Sequence, residues 1–537
     1  MNTPHAFDWQ AGYPSRRSPL FARNIVSTSH PLAAQAGLRV LHAGGNAVDA
    51  AIAAAACMTL VEPCSNGLGS DAFCILWDGQ QLHGLNASGP APAAWTPDCF
   101  EGPAMPRRGW GAVTVPGAVG GWMALTERFG KLPFADLMAP AIEIAERGYA
   151  VPPIVQSKWA MAAALPEITS QPGFAHAFLP HGRAPAIGER FTFPDAARSL
   201  KLIAETRGEA FYRGEIAAAL ARFARDTGGA LTEADLAAYR PEWVTPLAQD
   251  FAGHTLHEIP PNGQGIAAQM ALGLLSHCRV TDHAVDSPEA QHLMIEAMKL
   301  AFADVYRYVA EPAAMTVSPA QLLDPAYLAE RAGLIDPARA QVFGAGNPIK
   351  GGTIYLTAAD ERGMMVSFIQ SNYMGFGSGL VLPGYGVSLQ NRGHCFTLEA
   401  GHPNQVAPGK RPFHTIIPAF LTKDGAPVMS FGVMGGNMQP QGHLQTLVRM
   451  LCYGQNPQSA CDAPRWRFNE GLSINIEPHM PAATIEALRA RGHEIGDIHD
   501  SYQDFGAGQF IWRLGDPGVE GYVAASDPRR DGAAVGW

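Results

Sequence analysis

Several common catalytic signatures are missing from this 537-residue chain. It has no GxSxG elbow, no GxxxxGK(S/T) loop and no HExxH helix, so the α/β-hydrolase, P-loop and zincin readings lack their residues. Cysteines are few, at positions 57, 64, 74, 99, 278, 395, 452 and 461, and none forms a CxxC. That spread suits buried free thiols and a reducing compartment more than a disulfide framework. No basic block interrupts a net charge of −10, which argues against nucleic acid and anionic membrane surfaces as partners. The longest apolar run, residues 47 to 61, contains Asp49 and falls short of the ~20 residues that a membrane span needs. The first 25 residues hold proline and arginine where a secretory signal needs an unbroken apolar run of ~7 to 15 residues. The expected location is cytoplasmic.

What is present reads as globular: 47% hydrophobic, 16% charged, with glycine and proline scattered through the chain. Residues 30 to 60 read as two helices broken at Gly44-Gly45-Asn46, with Pro31 suited to a first turn. Strand-like stretches follow at 72–79 and 110–117, then helical segments around 118–150, 195–225 and 286–310, so the first two thirds is expected to be mostly helix. After about residue 350 the texture alternates: "TIYLTAA", "MMVSFIQS", "HTIIPAFL" and "PVMSFGVM" read as strands, with helices near 439–453 and 481–491. Strands followed by helices imply an α+β fold, an antiparallel sheet covered by helices.

Two features carry chemistry. In "GGTIYLTAADERGMMVSFIQS", the "DERG" turn fits type I geometry with Gly363 left-handed, and this predicts a hairpin in which Asp360 pairs with Met364. Thr353 then lies opposite Ser371 on one sheet face, which on the hairpin alone is an ordinary cross-strand hydroxyl pair. In "SFGVMGGNMQPQGHL", a strand runs into Gly435-Gly436 and then a helix that Pro440 can begin. This is either a tight strand-to-helix turn or an oxyanion hole, whose N–H donors can stabilise a transition state by several kcal/mol. His394, His402 and His414 show no metal-ligand spacing, and "GFGSG" reads as a turn.

A resemblance then joins these parts. "STSHPLAAQAGLRVLHAGGNAVDAAIAAA", "VEPCSNGLGSDAF", "VPGAVGGW", "YRGEIAAAL", "LTEADLAAY", "IPPNGQG", "KRPFHTIIPAF", "FGVMGG", "DAPRW" and "ASDPR" occur in an order that resembles the γ-glutamyltranspeptidase family of N-terminal nucleophile hydrolases. "TIYLTAAD", "SNYMGFGSG" and "LQNRG" resemble the branch related to cephalosporin acylases. The resemblance implies a four-layer αββα sandwich and self-cleavage between Gly352 and Thr353, giving a large subunit 1–352 and a small subunit 353–537. It makes Thr353 the nucleophile, activated by its own α-amino group, whose ordinary pKa is near ~7.7 to 8.0. Ser371 becomes the hydroxyl partner of the nucleophile, Gly435 and Gly436 the oxyanion hole, and no metal or organic cofactor is called for. A higher oligomer stays open.

The chain departs from the glutathione-cleaving members where they grip glutamate. Asn86 stands in place of a carboxylate-binding arginine, His414-Thr415 in place of a serine pair, and Arg392 and Cys395 in place of the glutamine and aspartate that hold the α-amino group. Tyr373 replaces a frequent asparagine, and the lid segment before "KRPFH" is short, which favours water as acceptor. These residues imply an amidohydrolase for a γ-glutamyl-like or short dicarboxylic acyl amide, with Arg392 taking a carboxylate. The rival readings are a conventional glutathione hydrolase and an uncleaved, non-enzymatic binding homologue.

Overall fold

The computed structural model of the protein describes residues 17–343, 352–498 and 504–537. Residues 1–16, which belong to the segment read above for a secretory signal, and the Thr353 side chain lie outside what is described.

Two seven-stranded sheets organise the chain, and every pairing within them is antiparallel. The first runs in the order Ala533–Gly536, Ile25–Thr28, Gly352–Ala359, Met365–Tyr373, Asp71–Trp77, Leu82–Ala87 and Glu242–Val244. The second runs Leu20–Ala22, Tyr522–Ser526, Ala507–Arg513, Ala426–Met434, Ala419–Lys423, His254–Glu258 and Leu247–Phe251. Strands from before Thr353 and after it share both sheets, the later ones at the centre of the second. The expected texture holds, helices dominating residues 17–343 and strands residues 352–537, but short strands of the first part such as Ile25–Thr28 and His254–Glu258, too brief to read by periodicity, complete both sheets. Residues 110–117 are also not a strand; Trp110–Ala112 form a 3₁₀ turn that leads into the helix Ala118–Phe129.

The apolar run at 47–61 is a fully buried helix, Ala47–Val61. It starts where it does because Asn46 and Asp49 cap it reciprocally: the Asp49 N–H donates to Asn46 Oδ1 at 2.9 Å, and the Asn46 N–H to Asp49 Oδ2 at 3.0 Å. The preceding helix, Pro31–His42, packs along it with Val26, Cys74, Leu356, Val366 and Phe368 from the first sheet in one core. A second core joins the helices Ile266–Leu275, Pro288–Tyr308 and Met438–Leu447 to Leu421, Phe431 and Phe510 of the second sheet. A third lies between the sheets, with Phe73, Tyr355, Ile369, Phe420, Met434 and Ile511. Burying each such side chain contributes about 1.5–3 kcal/mol, so apolar packing holds the layers together and polar contacts set their alignment.

The alignment is legible in three contacts. Thr357 and Ser430 share a hydroxyl hydrogen bond of 2.6 Å between the sheets. The Ser367 hydroxyl donates to the Phe431 carbonyl at 3.2 Å, and a Cβ on Gly432 would meet the Tyr355 ring at 2.5 Å. Stepping from 357 opposite 430 to 355 opposite 432, the strands stack antiparallel, and two more residues bring the Thr353 backbone across from Met434, next to Gly435.

The "DAPRW" and "ASDPR" segments meet in a buried clamp. Arg465 reaches Asp527 at 2.8 Å and Arg529 reaches it at 3.1 Å, while the Gly508 N–H donates to Asp527 Oδ2 at 2.8 Å. Burial opposes the charge on Asp527, but the two guanidinium groups win and pull the carboxyl down to about 2. Arg465 also donates to the Phe505 carbonyl at 3.0 Å, which fixes the segment whose Gly506 packs on Gly435. Because the folded value of Asp527 lies below the ordinary carboxylate value, its stabilisation is complete above pH ~4 and fades as pH falls toward ~2. Asp527→Asn should lower unfolding stability by about 3–5 kcal/mol at neutral pH, with the gap to wild type narrowing by about 2 kcal/mol between pH ~4 and ~2 in urea titrations.

Candidate active site

The predicted hairpin forms. Gly363 is left-handed at φ +94°, its N–H donates to the Asp360 carbonyl at 3.0 Å, and the Asp360 N–H donates to Met364 at 3.1 Å. Pairing then runs regularly from Ala359 with Met365 to Ile354 with Gln370. The register shifts between Gly352 and Ile354, where Gly352 pairs with Tyr373, so Thr353 sits at a bulge facing the Ser371–Asn372 step. Bulges of this kind re-aim a residue out of the regular ladder. Ser371 Oγ accepts the Tyr373 N–H at 2.7 Å, and Tyr373 itself is held left-handed at φ +79°, a costly conformation for an aromatic residue.

Gly435 and Gly436 end the facing strand at φ +127° and +61° and are buried. Among the described residues neither N–H has a hydrogen-bond acceptor. Two adjacent left-handed glycines with unspent donors form an anion-binding concavity at the start of the helix Met438–Leu447, and Pro440 lies within that helix's first turn. Gln264, from "IPPNGQG", fixes the turn: its Nε2 donates to the Gly436 carbonyl at 2.9 Å and to the Thr415 carbonyl at 2.6 Å.

Beside this turn lies a cavity of about 670 Å³ whose walls include Tyr306, Tyr373, Cys395, Phe413, Thr415 and Asn437. Behind the Tyr373, Cys395 and Thr415 wall is Arg392, fully buried. Its Nη1 donates to Thr415 Oγ1 at 2.8 Å, its guanidinium lies 4.7 Å from the Tyr373 ring centre and approaches Cys395, and among the described residues Nε and Nη2 meet no N or O partner. Burial lowers its affinity for a proton, and Cys395, Asp71 and Tyr373 act in the opposite direction. Burial also keeps Cys395 a thiol and Tyr373 a phenol. A guanidinium with unspent donors is a built receptor for a carboxylate.

Two residues expected to touch substrate lie elsewhere. Asn86 spends its side chain on Asn262, at 2.9 Å, and on the Ser88 N–H and hydroxyl at 3.0 and 2.7 Å, so it braces two loops and does not line the cavity. His414 is also withdrawn from the wall: its Nε2 contacts Asp71 Oδ2 at 3.2 Å and its Nδ1 accepts the Ile416 N–H at 3.4 Å. Burial and then Arg392 drive His414 well toward the neutral form. The Asp71, Gln264, Asn437 and Tyr306 positions escaped the sequence reading because each acts through partners distant in the chain; "GSDAF" and "IPPNGQG" were the available signals.

The short segment before "KRPFH" borders the cavity through Phe396, Thr397, His402 and Asn404. The three histidines considered above go to three partners: His394 to the Met105 carbonyl, His402 to the Tyr306 carbonyl and His414 to Asp71. Away from the cavity, His292, Glu296 and His493 come within metal-ligand spacing. The Lys299 ammonium sits 2.7 Å from Glu296, and His292 and His493 bond one another at 2.9 Å, so hydrogen bonds and a lysine already fill that cluster.

The model of one family, Gamma-glutamyltranspeptidase, matches residues 33–537. The chain belongs to that family. Within it, the "Glutathione hydrolase-like YwrD proenzyme" of Bacillus subtilis is 36% identical, over 97% of this chain and 99% of that protein. The "Oxamate amidohydrolase proenzyme" of Klebsiella pneumoniae is likewise 36% identical, over 97% and 99%. The crystal structure of a cephalosporin acylase from Bacillus halodurans is 46% identical, covers 100% of this chain and 99% of its own, and superposes with a TM-score of 0.93. As a member of the γ-glutamyltranspeptidase family whose relatives are hydrolase proenzymes, the chain is an enzyme of amide hydrolysis.

At Gly435 an added Cβ would meet Gly506 Cα at 3.0 Å in a backbone region that side chains avoid. Gly435→Ala should keep the helix content measured by circular dichroism and lower kcat by about 10²–10³, the cost of a lost oxyanion donor.

Proposed function

We propose that the protein is a self-processing N-terminal threonine amidohydrolase of four-layer αββα architecture that cleaves amides of short dicarboxylic acids. The observation that carries the reading is the pair of buried, unspent N–H groups at Gly435 and Gly436, next to the point where the stacked strands bring Thr353. In the precursor the Thr353 hydroxyl attacks the Gly352 carbonyl, an N-to-O acyl shift makes an ester, and water cleaves it. The freed α-amino group then takes the proton of the Thr353 hydroxyl as that oxygen attacks the substrate carbonyl. Gly435 and Gly436 bind the developing oxyanion, the amine leaves with the proton, and water releases the acid from the threonyl ester.

Arg392 supports a carboxylate on the acyl group, and the enclosed position of its nitrogens favours a short chain, with Cys395 standing where the glutamate-binding members have an aspartate. The printed name of the K. pneumoniae relative, an oxamate amidohydrolase, is consistent with the shortest such monoamide. The eight free cysteines fit an enzyme of a reducing, cytoplasmic compartment, and among the described residues no helix is long and apolar enough to cross a membrane.

A panel of glutaryl, γ-glutamyl and acetyl anilides, with glutathione, tests the reading. Glutaryl anilide should be the best substrate, and Arg392→Met should reduce its kcat/KM by about 10²-fold or more while changing acetyl anilide little. Preference for glutathione would establish the conventional family activity instead. Thr353→Ala should leave an uncleaved, inactive chain on a denaturing gel; an active Thr353→Ala chain contradicts the mechanism.

A further inference from the structure

Arg392 raises a question of charge. It is fully buried, its hydrogen bond to Thr415 and its contact with Cys395 involve neutral groups, and a guanidinium in such surroundings needs a counter-charge. The carboxylate that acts on it is Asp71, on the strand beside Met365–Tyr373 and directly opposite Ser371. Asp71 is itself fully buried; its Oδ1 accepts the Gly117 N–H at 3.0 Å and its Oδ2 faces His414 Nε2 at 3.2 Å. His414 and Thr415 are consecutive, so the residue that pairs with Asp71 adjoins the residue that holds Arg392.

Resting on the carboxylate reading of Arg392, we propose that the Asp71–His414 pair is a charge-compensating positioning device: it balances Arg392 in the empty site and takes up one proton when the substrate carboxylate binds. Two carboxylates facing one guanidinium in a dry site repel, and the resident pair yields by accepting a proton: Asp71 Oδ2 takes the hydrogen that His414 Nε2 donates to it, and His414 Nδ1 takes the new one, giving up its long 3.4 Å contact with the Ile416 N–H. The proton comes from solvent on binding and returns to it when the acid product leaves, so the cycle balances.

The groups that face Asp71 agree with this role. His414 contacts it, Arg392 and Arg411 favour its charge, and the un-ionised Cys395, Tyr212 and Tyr239 each feel it from their own elements. Burial, the largest influence, lifts Asp71 from its ordinary range up to about 7, with Arg392 the foremost opposing group. A ligand carboxylate that engages Arg392 cancels that opposition and raises the value further. Affinity for the carboxylate is therefore constant below pH ~7 and falls about tenfold per unit above it, until the bound-state value is reached.

Glutarate, a product that cannot be turned over, is the probe. Calorimetric titration of the mature enzyme at pH 6.0 to 9.0, in buffers of different ionisation enthalpy, should show a Kd rising about tenfold per unit above pH ~7 and an uptake approaching about one proton per site at pH 8.5. Asp71→Asn should bind glutarate as wild type does at pH 6.0 and about 30-fold more tightly than wild type at pH 8.5, with uptake reduced by about one proton. Any titration common to the two proteins cancels, so the difference between them isolates Asp71. A merely structural Asp71 would weaken binding in the variant, not strengthen it, and the wild-type titration stands if the variant does not fold. Glutarate binding that depends on Arg392 but is flat with pH and takes up no proton overturns the device alone. Binding unchanged by Arg392→Met, or no binding, overturns the carboxylate site on which it rests.

Discussion

The hydroxyl contact between Thr357 and Ser430, with Tyr355 seated on Gly432, aligns one sheet against the other. Apolar packing alone is tolerant of sliding; a buried hydroxyl pair and a ring that fits only where a glycine leaves room are not. With that alignment set, the strand beginning at Gly352 and the strand ending at Met434 bring their functional ends to the same edge. The register of the "DERG" hairpin then decides which residue of the neighbouring strand meets Thr353, and the bulge at its start frees that position from the ladder. The strand of Thr353, the Gly435-Gly436 turn and Ser371 all inherit their places from two sheet contacts and one turn.

Charge is the second organising constraint. At the Tyr373 and Thr415 wall the buried ionisable groups gather about Arg392, with Cys395 and Tyr373 held neutral by burial and His414 held neutral by burial and by Arg392 itself. Such a site has low dielectric and little water, so an incoming carboxylate is recognised strongly but cannot be accepted without a response from the resident charges. The strained Tyr373 backbone places its ring over the guanidinium at the cavity wall. The Arg465, Arg529 and Asp527 clamp works at the other side of the site, where it stiffens the segment that supports Gly435.

The parts legible in the sequence were those encoded locally. The hairpin follows from Asp360 and Gly363, the helix start at Ala47 from Asn46 and Asp49, and the glycine turn from Gly435-Gly436 before a helix. What escaped was encoded by distant pairing. Ile25–Thr28 and His254–Glu258 are too short to announce themselves, and "WGAVTVPG" alternates like a strand although a 3₁₀ turn breaks it. Arg392 was singled out as a cation where a polar ligand belonged, but its counter-ion Asp71 lies more than three hundred residues earlier. Asn86 was placed by alignment with an arginine; at its actual position Asn262 and Ser88 satisfy it. A position inherited from relatives does not carry its role when the residue is shorter and its partners lie within the fold.

The central claim is that Thr353, once freed from Gly352, carries the acyl group. Acid-quenching the purified enzyme during turnover of glutaryl anilide, followed by peptide mass mapping, tests it directly. The account predicts a peptide whose first residue is Thr353, heavier by one glutaryl group located on that threonine. Turnover by a chain still joined at Gly352–Thr353, or an acyl group trapped on any other residue, would contradict it.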